Sequence, residues 1–202
     1  MVAGVEIPIN RNASAIQMAQ TIFGDGTQVI NASYTGDRDS SGIYSNGNAI
    51  SPGVTPSDTG VMFSTGDLRG FTNNNFFQSN ESASTTTTSS GPNGVADFNA
   101  AAGAQTFDAS FLDVDFIPTG DVMTMQFVFA SEEYPEFAVG AFQDFFGVWI
   151  NGNLVPLSVG DGDIDPNNLN AGSNSNLFID NTQDQFNTEM DGFTLTMTLT
   201  IP

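Results

Sequence analysis

Phe193-Thr194-Leu195-Thr196-Met197-Thr198-Leu199-Thr200-Ile201 sets an apolar residue at every odd position and a threonine at every even one. A period of two belongs to a strand, whose successive side chains face opposite ways. The stretch therefore predicts one long strand with an apolar inner face and a threonine outer face, the pattern of an antiparallel sheet with one wet side. Met123, Met125, Phe127 and Phe129 repeat it, alternating with Val122, Thr124, Gln126 and Val128. Residues 145–150 are nearly all apolar, as in a strand covered on both sides, and Asn151-Gly152 supplies the two residues of a tight hairpin into 154–157. Residues 28–34, 59–64 and 111–117 read as further short strands between Gly, Asn, Asp and Pro punctuation. One helix is predicted, capped by Ser14, carrying Ile16, Ala19, Ile22 and Phe23 on one face and stopped by Gly24-Asp25-Gly26. The expected fold is all-β: a two-sheet antiparallel, jelly-roll-like β-sandwich with a short N-terminal helix.

At 202 residues the chain fits one β domain. Residues 78–94 turn Ser/Thr-rich and lose periodicity, which predicts an exposed, mobile loop within that domain, and 160–175 form a second long loop rich in Asp and Asn. Three arginines and no lysine stand against 23 acidic residues, a net charge of −20. That balance excludes nucleic acid as a partner, because nothing neutralises phosphates, and disfavours anionic membrane surfaces. It attracts cations instead. Histidine and cysteine are both absent, which removes Ser-His-Asp and Cys-His nucleophiles and His/Cys zinc sites. No apolar run reaches the roughly 18 residues of a membrane-spanning helix, so no membrane insertion is expected in this segment. The Asn/Ser/Thr/Gly-rich, lysine-free composition points to export, with any signal already removed.

Three acidic clusters are candidate calcium sites, since Ca²⁺ takes six to eight oxygen ligands from carboxylates, amides and carbonyls. Asp161, Asp163 and Asp165 alternate in one loop, with Asn167 as a further ligand; Pro166 at the turn position rules out an EF-hand. Glu132 and Glu133 emerge directly from the Met123 to Phe129 strand, where adjacent carboxylates repel unless a cation joins them, and Asp144 completes that set. Asp37 and Asp39 form a weaker echo, with Arg38 between them as a rival partner. The competing reading for each is a solvated acidic loop. Glu132 or Glu133 with Asp144 is alternatively a glycosidase acid/base pair.

Residues 127–137, Phe-Val-Phe-Ala-Ser-Glu-Glu-Tyr-Pro-Glu-Phe, and 142–152, Phe-Gln-Asp-Phe-Phe-Gly-Val-Trp-Ile-Asn-Gly, resemble the choice-of-anchor L domain family of bacterial surface and secreted proteins. Phe63-Ser64-Thr65-Gly66, residues 108–118 and Asp191-Gly192-Phe193-Thr194 match further landmarks in the same order; Gln143 stands where the family carries Asn. The resemblance implies display outside the cell and no established reaction. It also implies C-terminal strands beyond this chain, so the 193–201 strand is expected to be finished by strand addition, from a second copy or another surface or matrix protein. Cover by an N-terminal strand at 5–9 is the alternative. The function expected is thus a calcium-stabilised, extracellular structural or adhesive module, not an enzyme. The runner-up is a carbohydrate-binding module using Tyr44, Tyr134 or Trp149 to stack on glycans, and the third is a carboxylate-only glycosidase.

Overall fold

The computed structural model describes residues 5–72, 87–140, 143–157, 159 and 163–201. The fold is an all-β antiparallel sandwich with a short N-terminal helix, and twelve strands lie among the described residues. In chain order these are β1 (Ile9–Asn10), β2 (Thr27–Thr35), β3 (Ser41–Tyr44), β4 (Gly60–Phe63), β5 (Phe111–Pro118), β6 (Met123–Phe127), β7 (Ala130–Ser131), β8 (Trp149–Ile150), β9 (Asn153–Leu154), β10 (Phe178–Asp180), β11 (Gly192–Thr194) and β12 (Met197–Ile201). The described ladders run β1-β3-β4, β10-β11-β7, β12-β6, β2-β5 and β8-β9.

The helix α1 (Ala15–Phe23) starts where the Ser14 hydroxyl accepts from the Gln17 amide at 3.3 Å while the Gln17 side chain accepts from the Ser14 amide at 2.8 Å. This reciprocal capping satisfies two donors that a helix start otherwise leaves open. Gly24, at φ 59°, ends it in a conformation that disfavours any side chain. The helix packs on the β2-β5 ribbon, with the Phe23 and Phe116 rings 4.7 Å apart. The register of that ribbon runs from Thr27 opposite Pro118 to Thr35 opposite Phe111, shifting once at Ile30. Asn151 and Gly152 turn β8 into β9 with φ of 51° and 76°, the left-handed pair that a two-residue hairpin demands.

Four expectations change. The 193–201 stretch is not one strand: it breaks at Leu195-Thr196, and its two halves join different ladders. Phe193 and Thr194 are both fully buried in β11, the central strand of its ladder, whereas Leu195 is 44% exposed. Only β12 keeps the alternation, with Leu199 inward and Thr198 and Thr200 outward. In residues 145–150 only β8 forms a strand, although the whole stretch is half-buried. Two short helices went unread, α2 (Gly47–Ile50) and α3 (Ala96–Ala102). The segment around 5–9 does not cover β12, because Ile9 and Asn10 pair with β3. Of the predicted 78–94 loop, 78–86 lie outside the described residues, and 87–94 contain no helix or strand.

One core cluster positions the acidic loops. Phe129, Ile164 and Leu169 are buried together, with Phe127, Phe146, Leu157, Leu177 and Met197 packed around them. Ile164, flanked by Asp163 and Asp165, is thereby a plug that fixes its charged neighbours at the surface.

Candidate functional site

The loop that leaves β7 begins at Ser131, directly opposite Gly192 of β11. Its Tyr134 ring is buried against Phe178, centroids 4.6 Å apart, and the phenol donates to the Leu169 carbonyl. That bond ties the Glu132-Glu133 loop to the 163–170 loop. A second tie runs through Gln143, whose side chain donates to the Phe137 and Gly140 carbonyls at 3.0 and 3.3 Å and accepts from the Asn167 amide at 2.8 Å. Asp144 is held by hydroxyls: Ser131 donates to it at 2.7 Å and Thr65 at 3.3 Å. Three loops distant in sequence therefore meet around Tyr134.

The electrostatics record that meeting. Burial raises the Glu133 carboxyl above the usual range, and the charge of Asp144 pushes the same way. Burial and the neighbouring Asp163 likewise raise Asp165, although the Asn168 amide, 2.8 Å away, opposes the shift. Burial holds the Tyr134 phenol protonated well above its ordinary range, helped by Asp165 and Asp144. Tyr134 is a clamp, not an acid. Both carboxylate oxygens of Glu132 are shut away from solvent. The chain's cations are engaged elsewhere: Arg11 pairs with Asp39, Arg69 with Asp67, and Arg38 donates to Asn12 at 2.6 Å.

Asp144 thus acts on Glu133, and Asp144 and Asp165 each act on Tyr134. Asp163 is exposed, and Asn167 offers its main chain to Gln143. Asp161 lies outside the described residues. Asp37 and Asp39 sit apart, with structural occupations. The Asp37 carboxylate accepts from the Asp39 amide at 2.9 Å and from the Ser90 amide and hydroxyl at 2.8 and 2.6 Å, which holds its pKa down to about 2. Among the described residues, no three acidic side chains already surround a common metal position.

Amide side chains are the element that the sequence reading passed over. Asn168 donates to the Val159 and Asp163 carbonyls, both at 2.8 Å; Asn170 donates to the Pro166 and Asn167 carbonyls at 2.9 and 3.0 Å; Asn174 donates to the Asn168 carbonyl at 3.0 Å. Asn170 also accepts from the Gly172 and Ser173 amides at 2.8 and 2.9 Å. The Asn-Asn-Leu-Asn run at 167–170 was the available signal, since asparagine bonds locally to backbone wherever the chain leaves regular structure.

The aromatic platforms of the glycan reading are mostly out of reach. Tyr44 and Tyr134 are buried, and Trp149 is half-buried, stacked 5.0 Å from Phe98 with Phe145 at its edge.

No curated protein and no solved structure matches the chain. The choice-of-anchor L domain family matches residues 8–201, nearly the whole chain. The chain belongs to that family, and membership makes it a bacterial surface-associated module. No described helix is long and apolar enough to cross a membrane.

Proposed function

We propose that this choice-of-anchor L domain is an extracellular structural or adhesive module, non-enzymatic, whose acidic loops are ordered by calcium and whose open strand edge takes a strand from a second copy or from another surface or matrix protein. The observation that carries the calcium reading is the gathering of Glu133, Asp144 and Asp165 around Tyr134 while every arginine is engaged elsewhere. Glu133 and Asp165, whose carboxyls burial raises above the usual range, lose that penalty when a divalent cation joins them. Asp163 extends the ligand set, with Asp161 two positions before it in the sequence, and backbone carbonyls fill the remaining positions that Ca²⁺ accepts. Binding draws the 163–170 loop onto the Glu133 loop, so affinity and loop order are one quantity.

Calcium calorimetry tests this reading. A binding isotherm is expected for the parent, with magnesium much weaker because it demands a smaller, near-octahedral shell. Glu133→Gln and Asp144→Asn are each expected to weaken calcium binding about tenfold, since each removes a charged ligand. A parent that gives no calcium heat, or variants that bind as well as the parent, overturns the site.

The assembly reading is supported by β12, which pairs with β6 on one side and has no second partner among the described ladders. Thr198 and Thr200 face outward and no charge interrupts residues 197–201. Natural monomers blunt such an edge with charge, bulges or cover. Light scattering is expected to show concentration-dependent association, reduced to monomer by Thr198→Lys with Thr200→Lys. A parent that stays monomeric at all concentrations removes self-association through this edge.

A further inference from the structure

Residues 6–10 border two depressions whose lining residues belong neither to the acidic loops around Tyr134 nor to the β12 edge. The first is a recess of about 150 Å³. Its base is made by Ile7, Leu68 and Thr72, all buried, with half-buried Ile9 beside them, and its polar rim by Glu6, Arg11 and Arg69. The second is a groove of about 610 Å³ that shares Glu6, Ile7 and Ile9 with the recess and continues past Asn10 and Ile43.

The rim groups are already held in place by the fold. Arg69 Nε donates to the two Asp67 carboxylate oxygens at 3.1 and 2.9 Å, Asp67 also accepts from the Arg69 amide at 3.0 Å, and Arg11 pairs with Asp39. Beyond Asp67, the Arg69 guanidinium also feels Asp39 and Glu6, and Arg11 acts on Asp67, so both pairs and Glu6 form one charge network. A guanidinium carries five N–H donors, and neither arginine spends all of its own on these aspartates. At the base, the Thr72 hydroxyl accepts from the Ile7 amide at 2.9 Å and keeps its own proton to donate.

Charge and size choose the class of ligand. Two arginines face Glu6, Asp39 and Asp67 in a chain of net charge −20, so the recess has no positive excess with which to draw an anion. It offers donors and acceptors side by side over an apolar base. A sugar hydroxyl donates and accepts at once, and so matches such a rim where a purely anionic or purely cationic group does not. The volume is below the roughly 300–1,000 Å³ of pockets for drug-sized ligands, which limits the occupant to a single small ring.

We propose that the recess between β1 and the Leu68–Gly70 turn is a subsite for one neutral hexopyranose ring, held through its hydroxyls by Glu6, Arg11 and Arg69 over Ile7 and Leu68, with the rest of a glycan lying along the adjoining groove. The subsite needs no tyrosine platform, and Tyr44 and Tyr134 are buried. Its use in attachment rests on the adhesive reading; the binding itself does not, and none of its residues is a calcium ligand.

Saturation-transfer NMR in chelator, with millimolar glucose, galactose and mannose and with glucuronate as the anionic counterpart, tests the subsite apart from calcium. Transfer to at least one of the neutral hexoses is expected, with glucuronate binding more weakly than that hexose. Glu6→Gln and Arg69→Met are each expected to raise the Kd for it about tenfold, the cost of one hydrogen bond to a charged group. Both side chains are exposed, so the variants are expected to melt with the parent. Arg38→Met, outside the recess, is the control and should bind as the parent does. No transfer to any of the three hexoses, tighter binding of glucuronate, or variants at 6 and 69 that bind no worse than Arg38→Met overturns the proposal.

Discussion

Gly192→Ala is expected to destabilise the fold by about 3 kcal/mol, the upper end of the ordinary cost of overpacking a core. A Cβ at 192 would sit 2.5 Å from a Phe178 ring carbon, 2.5 Å from Tyr134 Cδ2 and 2.7 Å from Tyr134 Cγ. None of these atoms is a flexible chain end. Tyr134 is held at its hydroxyl by the Leu169 carbonyl, and Gly192 is held in the central strand between Asp180 and Ser131. To admit one methyl group, the ring must leave Phe178 or β11 must leave β7. Either movement also parts the Glu133 loop from the 163–170 loop, so the variant is expected to lose calcium affinity along with stability. For a chain of this size the loss corresponds to a melting temperature about 6–12 °C lower. Gly26→Ala is the control, because a Cβ there meets nothing within 4 Å. If Gly192→Ala melts with the parent, the packing of Tyr134 against the strand is not what joins the two loops.

The glycine at 192 was legible only as part of a family landmark; its physical reason lies in rings 14 and 58 positions away. What periodicity can report is the environment of one strand, and it did so wherever a strand keeps one neighbour. β2, β4, β5 and β6 stand close to where alternation and punctuation put them, and α1 follows from Ser14, Gln17 and Gly24. The failure at 193–201 has the opposite cause. The alternation is unbroken, but the chain changes partners at Leu195-Thr196, from β7 and β10 to β6. Thr194 is then buried at no cost in unsatisfied groups, because its hydroxyl accepts from the Phe129 amide at 3.0 Å and its amide donates to the Phe129 carbonyl at 2.8 Å. A threonine can fill an inner or an outer position, so the sequence pattern is blind to the switch. The helix α3 escapes a reading by periodicity because its alanines carry no periodic apolar face; Phe98 packs it against Phe111 and Trp149, and Asn99 accepts from the Thr106 amide and hydroxyl.

The candidate site divides in the same way. Carboxylate-rich loops are visible as composition, but which of them meet depends on contacts across many residues. Asp144 was paired with Glu132 and Glu133 in the reading of the sequence, and Ser131 brings it beside Glu133. Asp37 reads with Asp39 in the sequence, and its carboxylate accepts both from the Asp39 amide and from Ser90, 53 positions on. Local spacing suggests one loop ordered through its own aspartates; the Asn168, Asn170 and Asn174 side chains also bond its backbone, and Asp165 acts on Tyr134.

That division sets the size of the last expected result. The asparagine network bonds the 163–174 backbone, so on the proposed reading calcium adds to that order by joining this loop to the Glu133 loop. Adding calcium at about a hundredfold excess over its Kd is expected to stabilise the folded state by about 2.7 kcal/mol, since the ion binds the folded chain and not the unfolded one. The melting temperature should rise by about 5–11 °C over that in chelator. The effect carries a pH dependence of known sign. Calcium needs Glu133 and Asp165 ionised, both have raised pKa values, and protons therefore compete more strongly here than at an ordinary carboxylate. The calcium-induced rise should shrink as pH falls through those raised values. Magnesium at the same concentration should give a fraction of the rise, and Glu133→Gln, binding about tenfold more weakly, should remove about half of it. Melting curves that superimpose in calcium and in chelator would mean that the raised carboxyls of the Tyr134 face are met by protons alone, leaving the strand edge as the feature by which the module meets its surroundings.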